Sequence, residues 1–157
     1  MIPATLCFIF NDDPPHSILL GRKKRGFAIG KMGGFGGKIH EGESPVQAAS
    51  RELYEEAGIT TDPSDLVPLG ILTFIFPNMH AWDQEVHVFV AQKWHGLPQE
   101  SEEMRPGWFP LNNIPFDQMW DDMHYWLPHI LKGERISAVF TFDQDNETVK
   151  DYTIQLL

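Results

Sequence analysis

The sequence has a single cysteine, Cys7. That excludes an intramolecular disulfide and leaves no thiolate cluster for a structural zinc. Positive charge is also scarce: 12 lysines and arginines stand against 22 aspartates and glutamates, a formal net charge of −10. The phosphates of DNA or RNA would repel so acidic a chain, so no nucleic-acid polymer is expected as its partner. No run approaches the ~20 consecutive apolar residues that a membrane helix needs, and no membrane contact is expected. The apolar residues 1–10 lack a basic leader and run into Asn11-Asp12-Asp13, which predicts a first strand and not a signal peptide. Repeats, linkers and low-complexity tracts are absent from the 157 residues. The chain therefore reads as one soluble, cytoplasmic domain over 1–157, acting as a monomer.

What is present is the composition of a packed protein, 42% hydrophobic and 22% charged, which excludes wholesale disorder. Residues 5–10 predict a strand, stopped by a turn cluster in which Pro14 and Pro15 cannot donate ladder hydrogen bonds. Residues 17–21 predict its hairpin partner. The one basic cluster, Arg22-Lys23-Lys24-Arg25, leads into residues 26–37, whose six glycines predict a loop of unusual backbone angles or close approaches. Ser44 as N-cap and Pro45 at the first helical position predict a helix over 45–57, stopped by Gly58. Residues 66–76 and 85–92 read as strands, 93–105 as a loop, and Trp108-Phe109 as the end of a short strand. A second helix is expected over 116–131, with Pro128 ending or kinking it. Residues 136–142 and 148–154 predict a closing hairpin around Asp145-Asn146.

The helix over 45–57 carries Arg51, Glu52, Glu55 and Glu56. Positions 52, 55 and 56 are three and four apart, so their carboxylates share one face. Like charges at that spacing destabilise an isolated helix, and the C-terminal end of the macrodipole disfavours anions further. Alone, such a face reads as solvated acid. Directly after a glycine-rich loop it reads as a site for a hard divalent cation, whose charge removes the repulsion and whose preferred ligands are oxygens.

Gly37, Glu43 and Arg51-Glu52-Leu53-Tyr54-Glu55-Glu56-Ala57-Gly58-Ile59 match every fixed position of the Nudix box, residues 37–59. Seven fixed residues at ordinary frequencies make a chance match rarer than about one in a million. The chain thus resembles the Nudix hydrolase family. Further blocks, among them Lys23-Lys24-Arg25-Gly26-Phe27, Val86-His87-Val88-Phe89, Glu103-Met104-Arg105-Pro106 and Met119-Trp120, are similar to its MutT-homologue branch. The resemblance implies an α+β Nudix fold, a mixed β-sheet sandwiched between helices (α/β/α). It implies Mg²⁺-dependent hydrolysis of oxidised purine nucleoside triphosphates, such as 8-oxo-dGTP, to the monophosphate and pyrophosphate, a reaction that sanitises the nucleotide pool. A broader pyrophosphatase acting on methylated purine triphosphates or other nucleoside diphosphate derivatives is the alternative. A non-catalytic nucleotide-binding module fits less well, because none of the box glutamates is lost.

By the same resemblance, Glu52, Glu55 and Glu56 hold Mg²⁺, which Mn²⁺ could replace, together with the Gly36 carbonyl and Glu100. Whether Glu52 or Glu100 deprotonates the attacking water stays open, and Arg51 orients the glutamates. Lys23 and Lys38 are expected to meet phosphate, with Phe35, Gly36 and Gly37 along the nucleotide. Phe27, Phe74, Phe76, Trp108 and Trp120 are candidates for an aromatic slot that buries a purine face. Trp120 precedes two carboxylates, which in the family read the purine edge. The family pattern is Trp-Pro-Asp-Asp, whereas this chain has Trp120-Asp121-Asp122-Met123. Ungapped, Asp122 takes the first carboxylate's place and Met123 the second's; a one-residue shift would instead pair Asp121 with Asp122. The spacing of Tyr125-Trp126 favours the ungapped match. Gly33 stands where the family has a base-bonding asparagine, and Thr5 matches a pocket threonine.

Overall fold

A computed structural model describes residues 1–12, 15–91 and 93–157. Asp13 and Pro14 of the expected first turn, and Gln92 at the end of an expected strand, lie outside the described residues.

The strands are β1 (Ile2–Asn11), β2 (Ser17–Lys23), β3 (Met32–Gly33), β4 (Val67–Ile75), β5 (Gln84–Ala91), β6 (Met104–Pro110), β7 (Ile136–Phe142) and β8 (Val149–Leu156). They form one eight-stranded sheet in the order β3-β2-β1-β5-β4-β7-β8, with β6 pairing β2 off that path. β1 runs parallel to β5 from Ile2↔Gln84 to Ile9↔Ala91, and β4 runs parallel to β7, so the sheet is mixed. Among the described residues, the expected hairpin between β1 and β2 pairs at Phe10↔Ile18 and Asn11↔Ser17.

β1 is apolar on both faces because both are covered. Ala4, Phe8 and Phe10 join Leu72, Phe140 and Trp126 in one core, while Cys7 and Ile9 join Leu53, Ile59 and Phe89 in another. Period-two alternation along one strand thus feeds two cores. Burial pushes the Cys7 thiol up to about 12, so it behaves as an inert small hydrophobe.

Helix α1 (Pro45–Ala57) has its expected bounds. The Gln47 N–H donates to Ser44 Oγ at 3.3 Å and the Ser44 N–H to Gln47 Oε1 at 2.9 Å, a reciprocal capping box. The Gly58 N–H closes the far end on the Tyr54 carbonyl at 2.9 Å. Its buried face is small, with Ala48, Ala49 and Ala57 beside Leu53, and this lets the helix lie close to the sheet.

The second helix departs from expectation. Residues 116–131 are not one helix: a single 3₁₀ turn (Phe116–Gln118) is followed by extended backbone at Met119, and α2 spans Met123–Leu131. Met119 makes a parallel bridge to Met32, and that long-range pairing outweighs local helix propensity. Pro128 does not end the helix but sits inside α2. The N–H that Pro128 lacks would have bonded the carbonyl of His124, an exposed residue, which water can satisfy instead. Burial of Trp126, Leu127 and Ile130 offsets the loss. Two loop expectations also change: Met104 and Arg105 open β6, and Met32–Gly33 within the glycine-rich stretch pairs with β2 as β3. No helix among the described residues is long and apolar enough to cross a membrane.

Leu53 anchors α1 with no exposed surface, whereas Tyr54 beside it is 62% exposed. Leu53→Ala is expected to cost about 2–5 kcal/mol in urea unfolding, and Tyr54→Ala no more than about 0.5 kcal/mol.

Candidate active site

The glycine-rich loop is laced to β1. The Cys7 N–H donates to the Phe35 carbonyl at 2.7 Å, the Phe35 N–H to the Cys7 carbonyl at 3.0 Å, and the Thr5 N–H to the Gly37 carbonyl at 2.9 Å. A Cβ on Gly36 would lie 1.8 Å from the Thr5 carbonyl oxygen, and one on Gly37 2.6 Å from Glu52 Oε1. At Gly36 the clash is with fixed backbone, so only glycine permits the approach; at Gly37 a side chain would force Glu52 to move.

Glu56 lies beneath this loop and is 1% exposed. Its Oε1 accepts the Gly36 N–H at 2.8 Å, while its Oε2 has no partner. Burial pushes its pKa up to about 8, and repulsion from Glu52 adds to the rise. Burial also raises Glu52, against the pull of Arg51. Arg51 Nε and Nη2 grip Glu43 bidentately at 2.7 and 2.9 Å, and Nη1 reaches Glu52 at 2.9 Å and Glu55 at 3.2 Å. A fifth bond ties Nη2 to the Lys38 carbonyl at 3.1 Å. Held by Arg51 and by the His40 N–H, the Glu43 carboxyl falls to about 2.

Among the described residues no three carboxylate or imidazole groups converge into a preformed cage. The donor set nevertheless suits a hard cation. Glu56 presents a buried oxygen without a partner, and Glu52 and Glu55 lie on the same helical face.

Glu100 is not part of this group. Its carboxylate is exposed, pairs with Lys24 at 2.6 Å, and is lowered by that pairing. The acid that stands near the helix is Glu103, whose charge helps to raise both Glu52 and Glu56. Because Lys23 pairs with Met104 across β2 and β6, the preceding Glu103 comes alongside, 3.9 Å from Lys23 Nζ. Its position before Met104-Arg105-Pro106 was the available signal, and the loop expected over 93–105 concealed it.

A cavity of about 350 Å³ opens beside the loop. Of the expected substrate residues, Thr5, Lys23, Phe27, Gly33, Gly36, Gly37, Lys38, Phe74, Trp120, Asp122 and Met123 line it, and so does Phe76. Phe35 does not: it is fully buried in the α1-side core. Trp108 packs on that core beside Trp94. Asp121 points elsewhere, accepting the Val149 N–H at 2.9 Å, so the chain places Asp122 and Met123 at the cavity in register with the ungapped match. Asp122 Oδ2 accepts the Trp126 Nε1–H at 2.7 Å, and burial pushes its pKa up to about 6. The buried Thr5 hydroxyl has no partner. Lys31, Gln84 and Phe142 also reach the cavity, Lys31 with its ammonium 5.5 Å from the Trp120 ring centre. Periodicity carried no sign of them, because their strands and loop meet only in the folded sheet.

The fold and the carboxylate-bearing helix under a glycine loop define a class: the chain belongs to the NUDIX domain family, whose pattern matches residues 2–130. It is 44% identical over 141 residues to the mouse oxidized purine nucleoside triphosphate hydrolase, covering 90% of this chain and 88% of that protein. The zebrafish protein of the same name is 44% identical over 140 residues, covering 89% and 87%. In fold it is similar to a MutT protein from Bacillus halodurans, with a TM-score of 0.81, 22% identity and coverage of 99% and 98%.

Two outcomes are expected. Glu56 binds its proton more tightly folded than unfolded, so its contribution to stability is full below the ordinary value of 4.5 and is lost as pH rises to about 8. In EDTA the wild type should lose up to about 4 kcal/mol across that window in urea titrations, and Glu56→Gln should flatten the slope. Mg²⁺ titration calorimetry should show Glu103→Gln weakening binding by about tenfold or more, with Glu100→Gln near the wild type.

Proposed function

We propose that this chain hydrolyses oxidised purine nucleoside triphosphates, such as 8-oxo-dGTP, to the monophosphate and pyrophosphate. The observation that carries the reading is that one cavity joins two chemistries. At one end Trp120, Phe27 and Asp122 offer a flat apolar slot with a buried carboxyl; at the other, Gly36, Gly37 and Lys23 adjoin the glutamate face of α1. The names of the mouse and zebrafish relatives support the substrate class.

Glu52, Glu55 and Glu56, the Gly36 carbonyl and Glu103 would hold Mg²⁺, or Mn²⁺ in its place. When bound, the ion would neutralise phosphate charge and acidify water. The chain's own residues supply the rest. Lys23 and Lys38 line the cavity and draw the triphosphate in. Trp120 stacks the purine face, while the Asp122 carboxyl and the Thr5 hydroxyl meet its polar edge. Arg51 holds the glutamate side chains in place so that little reorganisation is needed during reaction. Glu52, raised by burial, takes the proton of the attacking water; Glu100, lowered by Lys24, is the poorer base. The reading takes the protein as one cytoplasmic, monomeric domain.

Gly33 faces open space and Met123 is apolar, and these two features favour the broader reading that includes methylated purine triphosphates. A kinetic panel with Mg²⁺ separates the two. The kcat/KM for 8-oxo-dGTP is expected to exceed that for dGTP by about tenfold or more, and Glu56→Gln to lower kcat by about 100-fold while nucleotide binding survives. Equal values for the oxidised and ordinary nucleotides would remove the sanitising role.

A further inference from the structure

The connection between β4 and β5 is a fastened turn. Asp83 Oδ1 accepts the Phe76 N–H at 2.7 Å, its Oδ2 pairs with His80 Nδ1 at 2.8 Å, and its carbonyl accepts the Ile2 N–H at 2.8 Å. Trp82 stands on this turn, edge-on to Phe76 at 5.7 Å. It also meets Phe27 edge-on, with ring centres 5.0 Å apart at 68°. Phe27 in turn lies over Trp120 at 5.5 Å and 29°, and borders the cavity.

Among the described residues, Phe27 itself makes no backbone hydrogen bond. It occupies the tip of the loop between β2 and β3, which is closed at its base by Gly30 N–H to Lys23 carbonyl at 2.8 Å and Lys23 N–H to Lys31 carbonyl at 2.9 Å. Next to it, Ala28 adopts a φ of 67°, a left-handed conformation that a residue with a Cβ rarely takes. Phe27 is 46% exposed, and among the described residues its aromatic neighbours are Trp82 and Trp120. Within the tip the Ile29 N–H donates to the Gly26 carbonyl at 3.2 Å and the Lys31 N–H to the Ala28 carbonyl at 3.0 Å, so turn bonds set the backbone while ring packing holds the Phe27 side chain. Rings 5.5 Å apart leave no room for a third between them, so a purine that stacks on Trp120 from that side must move Phe27, whose other aromatic contact is Trp82.

We propose that Trp82 is a positioning residue for the purine slot: fixed on the Asp83 turn, it backs Phe27 so that this ring stays at the cavity and bears on the base. The inference rests on the reading that the base occupies the cavity beside Trp120. Phe76, the other ring that Trp82 meets, is fixed independently by its N–H bond to Asp83 and by its stacking on Phe142 at 4.6 Å, so Trp82 is expected to act through Phe27 and to leave the phosphate end untouched.

A double-mutant cycle on the full chain tests it, with kcat and KM measured for 8-oxo-dGTP and for dGTP. Trp82→Leu is expected to raise KM about 3- to 10-fold with kcat within about twofold, and Trp82→Phe to keep a KM near the wild type. Phe27→Leu should raise KM at least as much, and the double variant should be no worse than Phe27→Leu. Effects of the two leucine variants that multiply, or a fall in kcat at unchanged KM, would overturn the proposal. Should Trp82→Leu lose its thermal transition, Trp82→His replaces it in the cycle with the same expectations. A wild type that does not prefer 8-oxo-dGTP to dGTP defeats the substrate reading instead, and the cycle run on dGTP still decides the role of Trp82.

Discussion

The site is organised by a carboxyl group buried where a carboxyl group should not be. Glu56 sits 1% exposed between α1 and the loop over β1, with one oxygen bonded to the Gly36 N–H and the other without a partner. Burial of that kind is costly for the ionised form and raises its pKa. Each neighbouring feature is a condition for it. Ala48, Ala49 and Ala57 bring the helix close to the sheet, and Gly36 and Gly37 lack the Cβ atoms that would collide with Thr5 and Glu52. The unmet oxygen and the proximity of Glu52 then create the demand for a divalent cation.

β1 connects that demand to the nucleotide. Ile2, Ala4 and Leu6 border the cavity, while the backbone of Thr5 and Cys7 carries the glycine loop. Base slot and carboxylate face are thus two sides of one strand, and the parallel pairing of β1 with β5 holds that strand deep in the sheet. In the proposed reading, a purine ordered in the slot would place its phosphates at the loop.

The charge pattern has a similar economy. Lys24 and Arg25 are spent on Glu100, Glu102 and Glu103, in exposed pairs that contribute little to stability but line up the loop ahead of β6. Lys38 lines the cavity, and so does Lys23, whose ammonium also lies 3.9 Å from Glu103. The net charge of −10, which argues against nucleic-acid polymers, is partly the concentrated acid of α1 and of that loop. Arg51 holds Glu52 and Glu55 of α1 together with Glu43 just before it, so the repulsion between Glu52 and Glu55 is offset within the same helix.

Features with a local cause were legible in the chain itself. Ser44, Pro45 and Gln47 start α1 and Gly58 ends it through bonds spanning a few residues, so the helix bounds and the shared face of Glu52, Glu55 and Glu56 follow from spacing alone. The Nudix box adds the family by the same local logic. Features with a distant cause were not legible. Met119 is extended because Met32 pairs with it, which breaks the expected helix and leaves Trp120 at the cavity. Glu103, not Glu100, comes beside Lys23 and the acidic helix because Lys23 and Met104 share a register across β2 and β6. Phe35 and Trp108 entered the α1-side core, and Asp121 turned to β8, through contacts far away in sequence. Helix caps and carboxylate spacing are set by hydrogen bonds within one turn, whereas sheet register and ring packing depend on which distant strands exclude water together.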